Sequence, residues 1–454
     1  MATEAVERRS SSAELADFVS TLEFEAIPAD GVRLAERCFL DTTGVTLAGA
    51  AEGAGPIVAA ALRSESGGNV SLLGREGTAT VTDAAFVNGT AGHGLDFDDV
   101  SDGMHGHPSV PMVPALLGVG QRENSTGREL LTAFVAGFET QCYLSPVINP
   151  DHYGAGWHST ATLGTLGAAA AVSRLLELDT EATRHALGIA ASMAAGLKRN
   201  FGTTTKPIHA GNAARSGVTA ALAAADGATA DAEAIDGVKG FFELYAGEGG
   251  VDLDARPRLG ERWAIVEDGV GIKKYPCCYF THAAISVASR LADDHAVDPG
   301  DVGSVEVVAS RGAGDALHHE DPQTGLEGKF SMEYTVARAI ARETVGLAAF
   351  DDENVGDPSV QRVRERVDFE VDERLEYGSH ETTVRITTTD GDSYEESVEG
   401  PPGKHENPLS DAELEEKFRM CGARVFESDT VTELHERLDD LRSEADVAEL
   451  VGAM

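Results

Sequence analysis

VGSVEVVA, residues 302–309, alternates apolar and polar side chains with a period near two, the pattern of a strand with one buried face. VDFEV at 367–371 repeats it. Thr382 to Ser397 reads as a strand pair folded around Asp390-Gly391, a dipeptide suited to the positive backbone angles of a tight hairpin turn. Outward from this cluster the code changes to helix. Toward the N-terminus, Ser11 and Glu14 have capping-box spacing, and Leu15, Phe18, Val19 and Leu22 follow at i, i+3, i+4 and i+7. Ala169 to Leu176 and Leu187 to Leu197 continue in the same way, with Leu187, Ala190, Ala191, Ala194 and Leu197 on one stripe. Near 410 the helical pattern returns behind a second capping box, Ser410 and Glu413. These signals predict a mainly α protein with a discontinuous, large all-helical domain over 1–269 and 405–454. A smaller α+β lid domain over 270–404 is inserted into it, with Gly400-Pro401-Pro402-Gly403 as the expected linker. No fixed-period repeat or low-complexity tract interrupts this plan.

The 454 residues are 42% apolar and only 6% aromatic, with 50 glycines, so the helices should pack closely through small side chains. The formal charge of −40 repels phosphate backbones and anionic lipid, which argues against nucleic acid or a membrane surface as partner. Among the cations, 28 are Arg and 8 are Lys; many acids with few lysines suit a protein kept soluble by concentrated salt, and a halophilic source is expected. The five cysteines form no spaced framework, so reduced thiols and a cytoplasmic location are expected. Met1 to Ser12 carries Glu4, Glu7, Arg8 and Arg9 with no apolar segment behind them, unlike a signal peptide. No run of roughly eighteen apolar residues predicts a membrane span.

Four clusters carry the chemistry. GHGLDFDDVSDGMHGHPSV, Gly92 to Val110, gathers Asp96, Asp98, Asp99 and Asp102 with His105 and His107. It does not fit an EF-hand, because Val100 and Ser109 fall where ligands are needed; divalent-metal binding by Asp plus His is one alternative and a solvated acidic loop the plain one. Trp157-His158-Ser159-Thr160 opens a Gly/Ala-rich helix, where the helix dipole should favour a neutral imidazole. Lys198 to Asn212 concentrates cations and hydroxyls before another helix, without a phosphate-loop pattern. Lys273 to His282, KKYPCCYFTH, is the fourth. Five of the eight lysines (198, 206, 273, 274 and 329) lie in or beside these clusters in a chain that otherwise uses Arg, which points to specific work for a tunable cation. His, Lys, Asp and hydroxyl groups without metal-ligand spacing or a cofactor fingerprint suit proton abstraction beside a carboxylate. Clustered cations lower that barrier, and a second acid then protonates a leaving hydroxyl or returns a proton to carbon.

At these motifs the chain resembles the MmgE/PrpD family, the 2-methylcitrate dehydratase superfamily. The resemblance runs through Asn88-Gly89, GHGLDFDD (92–99), His107-Pro108-Ser109 and Trp157-His158. It continues in TKPIHAGNAA (205–214), KKYPCCYFTH (273–282), FSMEYTVA (330–337) and NPLSDAELEEKFR (407–419). It implies a helical domain plus a smaller α+β lid, a homodimer, and a site in the cleft between domains. Members include 2-methylcitrate dehydratases, cis-aconitate decarboxylases and iminodisuccinate epimerases, which act on small di- or tricarboxylates without an iron–sulfur cluster.

Carried over by position, the resemblance places catalytic groups at Asp96, His107, His158, Lys206, Lys273 and Tyr334, with His209, Lys274 and Cys278 as substrate-binding candidates. It implies neither metal nor cofactor. His158, helped by Tyr334, is the expected acid/base, Lys206, Lys273 and His107 are the expected carboxylate binders, and Asp96 is expected to orient a histidine or shuttle protons. Val100 stands where the cis-aconitate decarboxylases have threonine, and Cys278 where they have histidine. The reading is therefore a cofactor-independent hydro-lyase like 2-methylcitrate dehydratase. A diacid epimerase or a cis-aconitate decarboxylase is the alternative, and a non-catalytic dimeric scaffold a more distant one.

Overall fold

The computed structural model describes residues 9–62, 67–341 and 344–454. Glu4, Glu7 and Arg8, on which the N-terminal reading partly rests, lie outside the described residues. The chain forms two units, residues 1–270 with 414–454 and residues 271–413. The second passage between them falls in the first turn of the helix Asp411–Gly422.

The larger unit is helical apart from one short antiparallel pair, Val70–Ser71 with Thr78–Ala79, so it is not all-helical as expected. Its centre is the helix Thr205–Ala225, packed against Ser159–Leu175 and Val81–Gly92, with Gly127–Ile148 on the far side of Ser159–Leu175. Glycine and alanine at the crossings let backbones approach: a Cβ built on Gly211 would lie 2.2 Å from Thr90 Oγ1 and 2.3 Å from the Phe86 carbonyl. Such contacts suit a dense core built with few aromatics. The helix Gly127–Ile148 opens with a complete capping box, Thr126 and Glu129, and is buried along nearly all its length. The C-terminal segment closes the unit. Val447 N–H donates to the Ser125 carbonyl at 2.9 Å, and Gly127 N–H donates to that of Glu444 at 2.8 Å. Arg442 pairs with Glu36, a buried acid of the helix Ala29–Ala51.

The smaller unit holds a four-stranded sheet of β1 (Val302–Ala309), β2 (Val367–Val371), β3 (Thr382–Thr388) and β4 (Ser393–Val398), in spatial order β2-β1-β3-β4. β1 and β2 are parallel, joined by a crossover that contains the helix Met332–Ile340; the other pairs are antiparallel. An irregularity between Val302 and Ser304 lets Val302, Val305 and Val307 all face inward. That face packs on the helix His282–Asp294, while Glu306, Arg385 and Glu395 form an exposed ion-pair ladder across the other. The fold class is therefore mainly α with a smaller α+β unit. Gly400–Gly403 lies inside the smaller unit, where the Gly403 carbonyl accepts from Ile272 N–H at 2.8 Å.

Two local expectations need correction. The first helix is capped by Ser10, not Ser11: the Ser10 hydroxyl accepts from Ala13 N–H, while Ser11 N–H donates to Asp236. The helix through Leu187 stops at Met193, so the stripe does not reach Leu197. Beyond Ala194 the chain is extended: the Gly196 carbonyl accepts from His158 N–H, Leu197 bridges to Trp157, and the Leu197 side chain is exposed. No single helix among the described residues is long and apolar enough to cross a membrane. All five cysteines are buried and unbridged.

Candidate active site

The larger unit draws three sequence clusters into one buried constellation. The helix Val81–Gly92 ends at His93, and the chain turns back on itself through Asp96, whose φ of +54° lies in the left-handed region. That reversal brings Asp98 under His93, whose Nδ1 lies 2.8 Å from Asp98 Oδ2. His107 Nδ1 approaches the same oxygen from the other side at 3.1 Å, and the two imidazoles meet edge to face. The acidic loop is only partly solvated: Asp98 and Asp99 are fully buried, whereas Asp102 and His105 are exposed. Burial pushes the Asp98 pKa up, but His107 and His93 outweigh it and hold the carboxyl well below the usual range. Asp99 has no cation beside it. Burial and the nearby Asp41 and Asp98 lift it to about 8, although Ser109 donates to it from both N–H and Oγ.

His158 is the N-cap residue of the helix Ser159–Leu175, and its ring stacks on His93. His158 Nδ1 lies 3.1 Å from His209 Nδ1. His209 and Lys206 sit three residues apart at the start of the helix Thr205–Ala225, hence on one face. Lys206 Nζ reaches Asp96 Oδ1 at 2.5 Å. Burial, then the neighbouring His93, Lys206, His107 and His209, hold the His158 pKa well below its ordinary value; burial and Lys206 lower His209 too. Burial, and not the helix dipole, is the first cause of the lowered His158 pKa. His152, by contrast, is fully used in structure, between the Tyr245 carbonyl at 2.8 Å and Thr162 Oγ1 at 2.7 Å.

The structure thus brings together Asp96, His107, His158, Lys206 and His209, and adds His93 and Asp98, which sequence reasoning did not select. Their signal was present in the spacing of GHGLDFDD, but the meeting of residues five apart depends on the reversal at Asp96. His93, Asp98 and His107 also offer one ligand atom each within 4.8 Å, a set able to hold a divalent cation. His93 Nδ1 is hydrogen-bonded to Asp98 at 2.8 Å, whereas His107 Nδ1 lies 3.1 Å from the same carboxylate without hydrogen-bond geometry.

The remaining candidates lie in the smaller unit. Lys273 is 1% exposed, and its Nζ lies 3.4 Å from the Cys277 carbonyl, which His282 Nε2 also approaches at 3.3 Å. Cys278 N–H donates to the Lys329 carbonyl. Lys274 points elsewhere, half-exposed, and pairs with Glu413 at 2.9 Å. Tyr334 belongs to the apolar core of this unit, and its hydroxyl donates to the Ala349 carbonyl.

Comparison with known proteins agrees with these motifs. The model of the MmgE/PrpD N-terminal domain matches residues 13–254, and that of the C-terminal domain matches residues 275–441. The chain belongs to the MmgE/PrpD family. It is 29% identical to a human cis-aconitate decarboxylase over 78% of this chain and 75% of that protein. The mouse enzyme of the same name is 30% identical, over 79% and 76%. A cis-aconitate decarboxylase-like protein of Aspergillus oryzae is 27% identical over 97% of this chain and 96% of its own length.

Proposed function

We propose that this protein is a lyase acting on a small di- or tricarboxylate, and that its chemical step is removal of a proton beside a carboxylate followed by loss of a hydroxyl. The observation that carries this reading is the buried His158–His209 pair beside Lys206. An imidazole kept neutral by burial is poised to take a proton, while a neighbouring ammonium holds the substrate carboxylate on which charge develops. In the dehydration, His158 takes the Cα proton, the electron pair forms the new double bond, and the β-hydroxyl leaves as water after protonation by His107, which lies beside Asp98. Lys206 binds the carboxylate; Asp96 fixes Lys206 and serves as its counter-ion. Lys273 is assigned to carboxylate binding from the family motif. Tyr334 is left to the fold, since its hydroxyl already bonds a main-chain carbonyl.

Decarboxylation is the second reading, favoured by the names of the relatives. It needs a proton donor to carbon, a task the same histidines can serve. The departures expected at Val100 and Cys278 weigh against decarboxylation. Incubation with 2-methylcitrate, citrate and cis-aconitate in molar salt tests both. A new ultraviolet-absorbing double bond without carbon dioxide supports the hydro-lyase, and carbon dioxide from cis-aconitate replaces it with the decarboxylase. Solvent deuterium entering a diacid with no absorbance change would instead favour an epimerase, and no reaction with any acid would overturn the enzyme reading.

We also propose a cytoplasmic homodimer from a halophile. Unbridged thiols, the charge of −40 and exposed apolar side chains such as Val238 and Leu244 support it. Light scattering at molar salt tests the dimer.

A further inference from the structure

Lys417 belongs to none of the four clusters, yet it is among the most buried lysines of the chain. It projects from the helix Asp411–Gly422, 5% exposed. Its ammonium donates to the Phe97 carbonyl at 2.8 Å, lies 4.0 Å from the centre of the Phe97 ring, and pairs with Asp41 Oδ1 at 2.5 Å. Asp41 stands in the middle of the helix Ala29–Ala51 and is fully buried. One cation therefore holds both the main chain and the ring of a single residue, and an acid from a third segment fixes the cation. The residue held is Phe97, which separates Asp96, the partner of Lys206, from Asp98, which bridges His93 and His107.

We infer that Lys417 is a positioning residue that fixes the aspartate-bearing turn at Phe97 and thereby sets the geometry of the reacting histidines. Asp96 adopts a left-handed backbone that a non-glycine residue does not favour, so this turn needs an external hold. An ammonium removed from water is costly unless paired, and here its partners are Asp41, a carbonyl and an aromatic face. Lys417 touches none of the groups assigned to the reaction, so its effect passes through the Phe97 backbone. The inference rests on the functional reading above, and the test separates the two.

The variant is Lys417→Met with Asp41→Asn, which removes both charges together and leaves no orphan. Glu36→Gln with Arg442→Met is the comparison, because that pair ties the C-terminal segment to the same helix without touching the turn. In the first double variant kcat should fall on the order of a hundredfold with KM changed less than about threefold, while the comparison retains wild-type kcat. The ring resonances of His93 and His107 in the resting protein should move in the first and stay in the second. A folded first variant with wild-type kcat overturns the inference. So does one that fails to fold, because the pair would then be holding the fold and not the turn. Should the wild type turn over no carboxylate, the functional reading fails on its own; unmoved histidine resonances would still sink the positioning role, and moved ones would uphold it.

Discussion

His158 and His209 face each other through their Nδ1 atoms at 3.1 Å, a distance that accommodates one proton between them and not two. One ring must donate there and the other accept, so each constrains the tautomer of the other. Burial first, and then the neighbouring Lys206 and histidines, lower the pKa of both rings, and protonating both would place two cations side by side next to Lys206.

Activity should report on this pair. His158→Ala should lower kcat by about 10²–10⁴-fold without unfolding the protein. His209→Asn should act more mildly but move the acid limb of kcat/KM to higher pH, because removing a neighbour that disfavours charge on His158 raises its pKa. Steady-state profiles between pH 5 and 8 check both, and an unmoved limb would argue against His158 as the base.

Lys206→Met keeps the stem and removes the charge that faces Asp96. If the ammonium binds substrate carboxylate, KM should rise roughly 10–100-fold, the worth of a charge-assisted hydrogen bond. A loss confined to kcat would assign Lys206 to the chemical step.

Stability should fall on both sides of neutrality, for opposite reasons. His93 and His152 have folded pKa values lowered to about 4 from 6.5, so the unfolded chain binds more protons between these values and stability is lost as pH falls through that range. Asp99 is raised from 3.8 to about 8, so the folded chain holds the extra proton across that span and stability is lost as pH rises through it, opposing the histidines below 6.5 and acting without them from there to 8. Asp99→Asn should therefore flatten the decline in melting temperature between pH 6.5 and 8. The wild-type decline carries up to about 1.4 kcal/mol per pH unit from this group; parallel curves would remove Asp99 as its source.

Salt should stabilise the protein. With 76 acidic and 36 basic residues, self-repulsion dominates at low ionic strength, and raising potassium chloride to the molar range should raise the melting temperature. A flat response would count against a halophilic origin.

Gly211→Ala tests the close helix crossing. Its new methyl would collide with Thr90 Oγ1 and the Phe86 carbonyl, and backbone cannot yield as a flexible side chain does. The loss should be about 1–3 kcal/mol in denaturant unfolding, against near neutrality for an alanine at the exposed Gly452.

What could be read in the sequence follows from how local each signal is. VGSVEVVA and VDFEV form strands over the same residues, and Gly391 takes the positive φ of +94° that the Asp390-Gly391 turn requires. Ser410 and Glu413 make their reciprocal cap. All of these depend on neighbours within a few positions. The stop at Met193 was hidden because the apolar spacing runs on past the point where Gly196 is needed by His158. In the site, His158 and Lys206 announced themselves by standing at helix starts amid Gly and Ala. His93 and Asp98 looked like parts of a polar loop, and only a reversal of the chain at Asp96 buries them together. Lys417 with Asp41 lay further still from recognition, since nothing in either segment alone signals the other.

The two-piece construction of the larger unit has a consequence for synthesis. Residues 414–454 leave the ribosome after the whole of 271–413, so the partners of Ser125, Gly127, Glu36 and Asp41 arrive last. Until then the nascent chain carries an unfinished helical body while the sheet-bearing segment can already fold. Translation that aborts late would release a polypeptide with a complete smaller unit and an open, protease-sensitive larger one, a defect that chaperones and degradation machinery could sense before any active enzyme exists.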